Sequence, residues 1–423
     1  MPSISEIIKT SQPEFGPYEE LYKHFHQNPE LSFQEKETAA RIVQELEKLH
    51  AYEIHANIGG HGIAAVLRNG PGKTILLRAD IDALPVEEKT NVPYASTKTM
   101  IDSTDGVEKP TMHACGHDIH ITALLMAAAT LSQAQQHWSG TLLLIFQPAE
   151  ERAGGARAMI SDNLYTKVPI PDIALGGHVM PFRSGIIGTK RGLIASSADS
   201  FQLDIPGRQA HASTPHVGVD PIVQAASTIL RLQTIVAREV DPSDFAVVTV
   251  SAIHAGDAEN IIPSSASLKL NVRAAIPSTR SHILSSISRI IDAEAVASNA
   301  PAPPILTPTT NFPFLYNDAH VTAALERTFS THFGVDRYSD AIPRLQGSED
   351  FGILAESVGK PCCFFLYGGL EREMVERLEG EGRRNEIPGN HSPFFLPVVE
   401  SVRVGCEGYC VGALTFLGKG EGV

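Results

Sequence analysis

MHACGHDIHITALLMAAATLSQAQQHWSGTLLLIFQPAEE, running from Met112 to Glu151, decides how this chain folds. Its middle, ITALLMAAATLSQAQQ, reads as a helix, and TLLLIFQ reads as a short apolar strand closed by a proline. Working outward, the same alternation recurs. TAARIVQELEKL is an amphipathic helix, GIAAVLRNG and KTILLRAD are strands, and DIALGGHV is another strand on the far side. Short apolar strands separated by helices predict an α/β layered sheet.

The pattern changes between about Ser197 and Thr310. There the order is strand (SFQLDIPG), helix (PIVQAASTILRLQTIVARE), strand (FAVVTVSAIHAG), strand (SLKLNVRAAI), helix (HILSSISRIIDAEAV) and strand (PILTPTTNF). That βαββαβ order is the ferredoxin-like motif. The chain then returns to α/β elements, with a helix at DAHVTAALERTFSTHF and a strand at PCCFFLYGG, and the Pro-rich APAPPILTPTTNFP marks the second crossing. The expectation is a catalytic domain in two parts, 1–196 and 311–423, interrupted by a small inserted domain, 197–310.

Composition narrows the function classes. The chain has 423 residues, too many for one ordinary core. At 43% hydrophobic and 19% charged it reads as globular, and a net charge of -14 disfavours nucleic acid and anionic membrane as partners. The N-terminal MPSISEIIKTSQPEF lacks the basic and apolar regions of a signal peptide, and no apolar run approaches the ~20 residues of a membrane span. Five cysteines, Cys115, Cys362, Cys363, Cys406 and Cys410, do not make a disulfide framework, so free thiols and a cytoplasmic location are expected.

Chemistry concentrates at the ends of the apolar strands. The loop Met112–His120 packs three histidines, a cysteine and an aspartate ahead of a helix, and thiolate and imidazole are both good ligands for zinc-like ions. TLLLIFQ ends in the adjacent carboxylates Glu150 and Glu151, where ligands bind in open α/β sheets. LGGHVMP places His178 at the end of a strand, and PGNHSPFF places His391 in a polar loop. Each feature alone also fits a helix cap, a solvated loop or a structural histidine. Together, Cys115, His117, Glu151, His178 and His391 supply five S, N and O donors, enough for two ions when one bridges. LRADIDALP adds Asp80 and Asp82, either of which can accept the second ring N–H of a metal-bound histidine. In the inserted segment, His211 and Asn260 are candidates to donate to an oxyanion, and Arg273 to clamp a substrate carboxylate.

These residues resemble the peptidase M20 family, in particular its amidohydrolase branch of hippurate, indole-acetyl-amino-acid and N-acyl amino acid hydrolases. HQNPELSFQE, LRADIDALP, MHACGHDIH, FQPAEE, GGHVMP, GRQAHASTPHVGVDPI, GSEDFG and NHSPFF follow the family's order across nearly the whole chain. The resemblance implies a two-domain metallopeptidase fold in which the inserted domain is lid and dimer interface, giving a homodimer. It implies that Cys115 bridges two divalent ions, with His117 and His178 completing one site and Glu151 and His391 the other. Glu150 is then the general base and Asp80 the aspartate behind the ligands, while Arg78 stands where other branches carry a ligand histidine. The resemblance also implies that His211 reaches a neighbouring active site to polarise the scissile carbonyl. The chain departs from the family pattern around His211, with Gln209-Ala210 and Thr214, and around Arg273, with LNVR.

The expected activity is hydrolysis of the amide bond of an N-acyl amino acid or a similar small conjugate. Zn²⁺ suits the donor set best, with Mn²⁺, Co²⁺ or Ni²⁺ as alternatives. A dipeptidase or aminoacylase shares the same metals, and a non-catalytic binding protein on the same fold lacks a ligand or the base. Here every one of those residues is present.

Overall fold

The computed structural model describes residues 2–345 and 347–419, so the expected outer limits at 1 and 423 lie outside the described residues. The chain divides into two compact units. The first comprises Met1–Ile194, Tyr316–Arg344 and Asp350–Val423; the second comprises Ala195–Leu315 and Leu345–Glu349. The short return at Leu345–Glu349 has no counterpart in the sequence expectation, because five residues carry no periodicity to read.

The first unit is built on an eight-stranded mixed sheet. Its order is Glu53–Ile58, Gly62–Asn69, Gly140–Gln147, Thr74–Asp80, Ile173–Arg183, Cys362–Leu370, Ile187–Gly188 and Tyr338–Ser339. The four central strands from Gly140–Gln147 to Cys362–Leu370 run parallel. Their continuous apolar runs follow from burial on both faces. Thr74–Asp80 is buried along nearly its whole length. The helix His117–Gln133 is buried almost all round, which is why its sequence is apolar with little amphipathic pattern.

The C-terminal helix Ser401–Leu417 packs on the same core, and local propensity does not explain it. SVRVGCEGYCVGALTFL contains three glycines and several β-branched residues, all weak helix formers. Burial forms it instead. A Cβ on Gly405 would stand 2.9 Å from both the Ala123 side chain and the Tyr367 ring, so only glycine lets the helices meet this closely. Tyr409 then donates its hydroxyl to the Arg78 carbonyl at 2.7 Å, tying this helix to the strand that leads to the site.

The second unit carries a four-stranded antiparallel sheet ordered Ala246–Ala255, Ser265–Ala274, Ser197–Pro206 and Ile305–Phe312. With the helices Pro221–Arg238 and Pro277–Ala297 this is the ferredoxin-like βαββαβ arrangement. Leu203, Leu232, Ile235, Leu268, Leu270, Ile283 and Ile287 form its core. Asp220 caps the first helix by accepting from Ile222 and Val223 N–H, with Pro221 at the first helical position, where its missing N–H costs nothing. Among the described residues, no helix is long and apolar enough to cross a membrane, and all five cysteines are free thiols.

Candidate metal centre

Four chain segments deliver the expected donors to the carboxyl ends of the parallel strands. Cys115 and His117 come from the loop and first turn of the helix His117–Gln133. Between them Gly116 adopts φ 85°, and a Cβ there would collide with the Val179 side chain, so the Cys-Gly-His turn requires glycine. Glu150 and Glu151 lie in the single 3-10 turn Glu150–Arg152. His178 is inside the strand Ile173–Arg183, which runs four residues further than its apolar stretch suggests. His391 is in the loop before the C-terminal helix, its N–H donating to the Ala114 carbonyl at 2.8 Å.

Backbone strain gathers at the same place. Ala149 (φ 47°), Ala153 (φ 52°) and His391 (φ 70°) are non-glycine residues in the left-handed region, two flanking the acidic turn and the third a candidate ligand. Such conformations cost about 1–3 kcal/mol each and persist where the surroundings over-determine them. At Ala149 the surroundings include Glu35, a buried carboxylate whose Oε1 accepts from both Ala149 N–H and Phe33 N–H at 2.8 Å.

All five expected donors converge. Cys115 Sγ is 3.5 Å from His178 Nε2. Glu151 Oε1 is 3.8 Å from His117 Nε2 and 3.4 Å from His391 Nε2. Donor atoms of Cys115, His117 and Glu151 lie within 4.8 Å of one another. Hydrogen bonding sets the histidine tautomers. His117 Nδ1–H donates to the Asp82 carbonyl at 2.9 Å, and His178 Nδ1–H to the Val179 carbonyl at 2.7 Å, leaving both Nε2 lone pairs facing the cluster.

The electrostatics favour a cation. His117 Nε2 and Glu151 Oε1 are buried without a hydrogen-bond partner, an expensive arrangement unless something positive sits between them. Burial resists charging of His117, but Asp80, Asp82 and Glu151 outweigh it and raise its pKa to about 10. Burial, then the charges of Glu151, Glu150 and Asp80, push the Cys115 thiol well up. Burial, then the neighbouring His120, hold His178 well below the usual imidazole range and hence neutral. A site that holds a proton so tightly would hold a divalent ion in its place, and the sulfur, imidazole and carboxylate donors fit one.

The expectation for Asp80 needs correcting. Asp82, two residues on, is the aspartate that accepts the ring N–H of His117, and its Oδ2 also accepts from Ser32 Oγ–H at 2.7 Å and Glu151 N–H at 3.1 Å. Asp80 instead bonds Arg78 at 2.7 Å and His120 at 2.5 Å. Burial opposes ionisation of Asp80, but Arg78, His117 and His120 hold its carboxyl well below the usual range. The chain leaves the sheet after Asp80, with Ile81 N–H bonded to Gln147 and Ala83 N–H to Glu30, and this carries Asp82 to the ligands.

Three functional candidates belong to the second unit. His211 is exposed, and its Nδ1 accepts from Ser213 N–H at 3.1 Å, which leaves the proton on Nε2. Asn260 is exposed, its carbonyl accepting from Ala212 N–H at 3.0 Å. Arg273 is partly buried on Ser265–Ala274 and donates Nε–H to Asn271 at 3.1 Å. Two further residues escaped the sequence reading. His120 shares a helix face with His117 at i, i+3, the one signal that marked it, and Asn390 donates to the Cys115 and Val179 carbonyls at 3.3 Å.

Known proteins resemble this chain over most of its length. The chain is 40% identical to hippurate hydrolase from Campylobacter jejuni over 363 residues, 85% of this chain and 88% of that one. It is 35% identical to an N-acetyl-L-cysteine deacetylase from Bacillus subtilis over 82% of this chain and 79% of that one. The solved structure of Bacillus subtilis YXEP, a dinuclear metal-binding M20 peptidase, superimposes with a TM-score of 0.72 at 29% identity, covering 95% of this chain and 98% of that one. The sequence profile of peptidase family M20/M25/M40 matches residues 76–376. The chain belongs to peptidase family M20/M25/M40, in its amidohydrolase branch.

Proposed function

We propose that this protein hydrolyses the amide bond of an N-acyl amino acid or a similar small amide conjugate, using two divalent metal ions. The observation that carries the reading is the convergence of Cys115, His117, Glu151, His178 and His391 beside the buried Glu150. Cys115 would be shared between the two ions, with His117 and His178 holding one and Glu151 and His391 the other. Zn²⁺ suits the mixed thiolate, imidazole and carboxylate set best, with Mn²⁺, Co²⁺ or Ni²⁺ able to replace it. When bound, such ions polarise the scissile carbonyl and make water a competent nucleophile near neutral pH.

The chain's own residues do the rest. Glu150, fixed by the strained turn at Ala149, takes the proton of the attacking water and returns it to the leaving amine. His211, with its proton on Nε2, donates to the developing oxyanion together with Asn260, and Arg273 clamps the substrate carboxylate. The relatives named hippurate hydrolase and N-acetyl-L-cysteine deacetylase support an N-acyl amino acid substrate.

The second unit acts as lid and dimer interface. Val223 and Leu230, seven residues apart on Pro221–Arg238, are 65% and 73% exposed, and Ala246–Ala255 is an edge strand. An apolar helix stripe beside an open strand edge suits a second copy of the chain.

The test is metal analysis of the purified protein together with hydrolysis of N-benzoyl, N-acetyl and indole-acetyl amino acids and of dipeptides, before and after chelation and metal readdition. Two ions per chain with chelator-sensitive cleavage of acyl amino acids supports the reading. Preference for dipeptides would make it a dipeptidase, and no metal under any loading condition would overturn it.

A further inference from the structure

His120 is outside the proposed ligand set, yet it is fully buried against it. Its Nε2 accepts from Val179 N–H at 2.9 Å. An amide N–H only donates, so Nε2 carries the lone pair, and the ring proton sits on Nδ1, donated to Asp80 Oδ1 at 2.5 Å. Both ring nitrogens are therefore committed. Four donor atoms of Asp80, His117, His120 and His178 lie within 4.8 Å of one another, but His120 could join a metal only by releasing the Val179 amide.

The bonds continue on both sides of the ring. Asp80 is held from behind by Arg78 Nη1 at 2.7 Å, and Arg78 is itself fixed by Gln147 Oε1 at 3.0 Å and Asp350 Oδ1 at 3.3 Å, all of them buried. Ahead of His120, the residue whose N–H it accepts also offers its carbonyl to His178 Nδ1–H at 2.7 Å. That carbonyl takes Asn390 Nδ2–H at 3.3 Å as well. The Val179 side chain fills the space that Gly116 leaves open. Val179 thus joins the helix that carries His117 to the strand that carries His178.

We infer that His120 is a positioning residue for the metal centre: through Val179 it fixes the tautomer and orientation of His178, so that His178 Nε2 faces Cys115. The inference rests on the metal-centre reading above. Partners behind a ligand histidine commonly set its ring orientation and basicity. Here the connection is indirect, passing through a backbone amide, and it accounts for a buried histidine beside the proposed ligands that is not itself one of them.

The test is titration of the metal-free, full-length protein with Co²⁺, followed by absorption and by competition with a chelator, with near-ultraviolet dichroism reporting the fold. Wild-type protein that takes up no Co²⁺ overturns the metal centre, and the role of His120 with it. Given wild-type uptake, His120→Leu is expected to bind Co²⁺ about 10- to 100-fold more weakly while keeping the wild-type band pattern. His120→Gln, which can still accept from Val179 and donate to Asp80, should recover most of that loss. Should His120→Leu fail to fold, His120→Phe keeps the ring volume without its nitrogens and carries the same expectation. Wild-type affinity in a folded Leu or Phe variant overturns the positioning role. Loss of one ion with an altered band pattern also overturns it, by making His120 a ligand.

Discussion

His117 donates its Nδ1–H to the backbone carbonyl of Asp82 at 2.9 Å, with the Asp82 carboxylate 3.2 Å from the same nitrogen. One residue thereby sets the tautomer of a candidate ligand and, through its bond to Glu151 N–H, the turn that carries another. Asp82→Asn keeps the size and the carbonyl but removes the charge. It should fold normally and bind metal about 10- to 100-fold more weakly, as read by chelator competition; unchanged affinity would leave the carboxylate with no part in the site.

Gly116→Ala should destabilise the protein by at least about 2 kcal/mol, since it combines a left-handed backbone with a clash against Val179. The loss should appear in denaturant unfolding, and metal retention should fall with it because Cys115 and His117 flank the turn.

Glu150→Gln should lower kcat by about 10²- to 10⁴-fold, the contribution of a positioned acid–base group, while the metal content stays at the wild-type value. Elemental analysis beside single-turnover kinetics separates the two. Wild-type turnover would assign the base elsewhere.

His26 gives the fold a pH dependence. Its ring donates to Asp118 at 2.6 Å and Glu88 at 3.0 Å. Burial resists the charge, but the two carboxylates outweigh it and raise the pKa to about 9. A folded pKa above the unfolded value stabilises the protein fully below about pH 6.5 and loses that stabilisation as pH rises through about 9. Urea midpoints should fall across that window by an amount equivalent to up to about 3 kcal/mol, and His26→Gln should remove this part of the slope.

Leu230→Glu should convert a dimer to monomers in sedimentation, because it puts a charge in the exposed stripe of Pro221–Arg238. If His211 serves a neighbouring site, mixing the inactive variants His211→Ala and Glu150→Gln should restore activity in roughly a quarter of the sites by random pairing. No recovery after subunit exchange would confine His211 to its own subunit.

The sequence by itself determined the parts whose physics is local. Short continuous apolar runs placed the central strands, and apolar helical stretches placed five of the helices, within a few residues, because each reports what is buried. The five proposed donors could also be named, since sulfur, imidazole and carboxylate chemistry belongs to the residue type and each lies at the end of an apolar strand or in a polar loop. Only the tertiary structure decided which aspartate serves His117. Asp80 and Asp82 share the same alternation, and the choice was made where the chain leaves the sheet. It also placed His120 behind His178, through an amide 59 residues away. The glycine-rich helix Ser401–Leu417 belongs to the same class, being formed by burial against propensity. In each case the determining contact joins residues far apart in the chain, and no local pattern encodes such a contact.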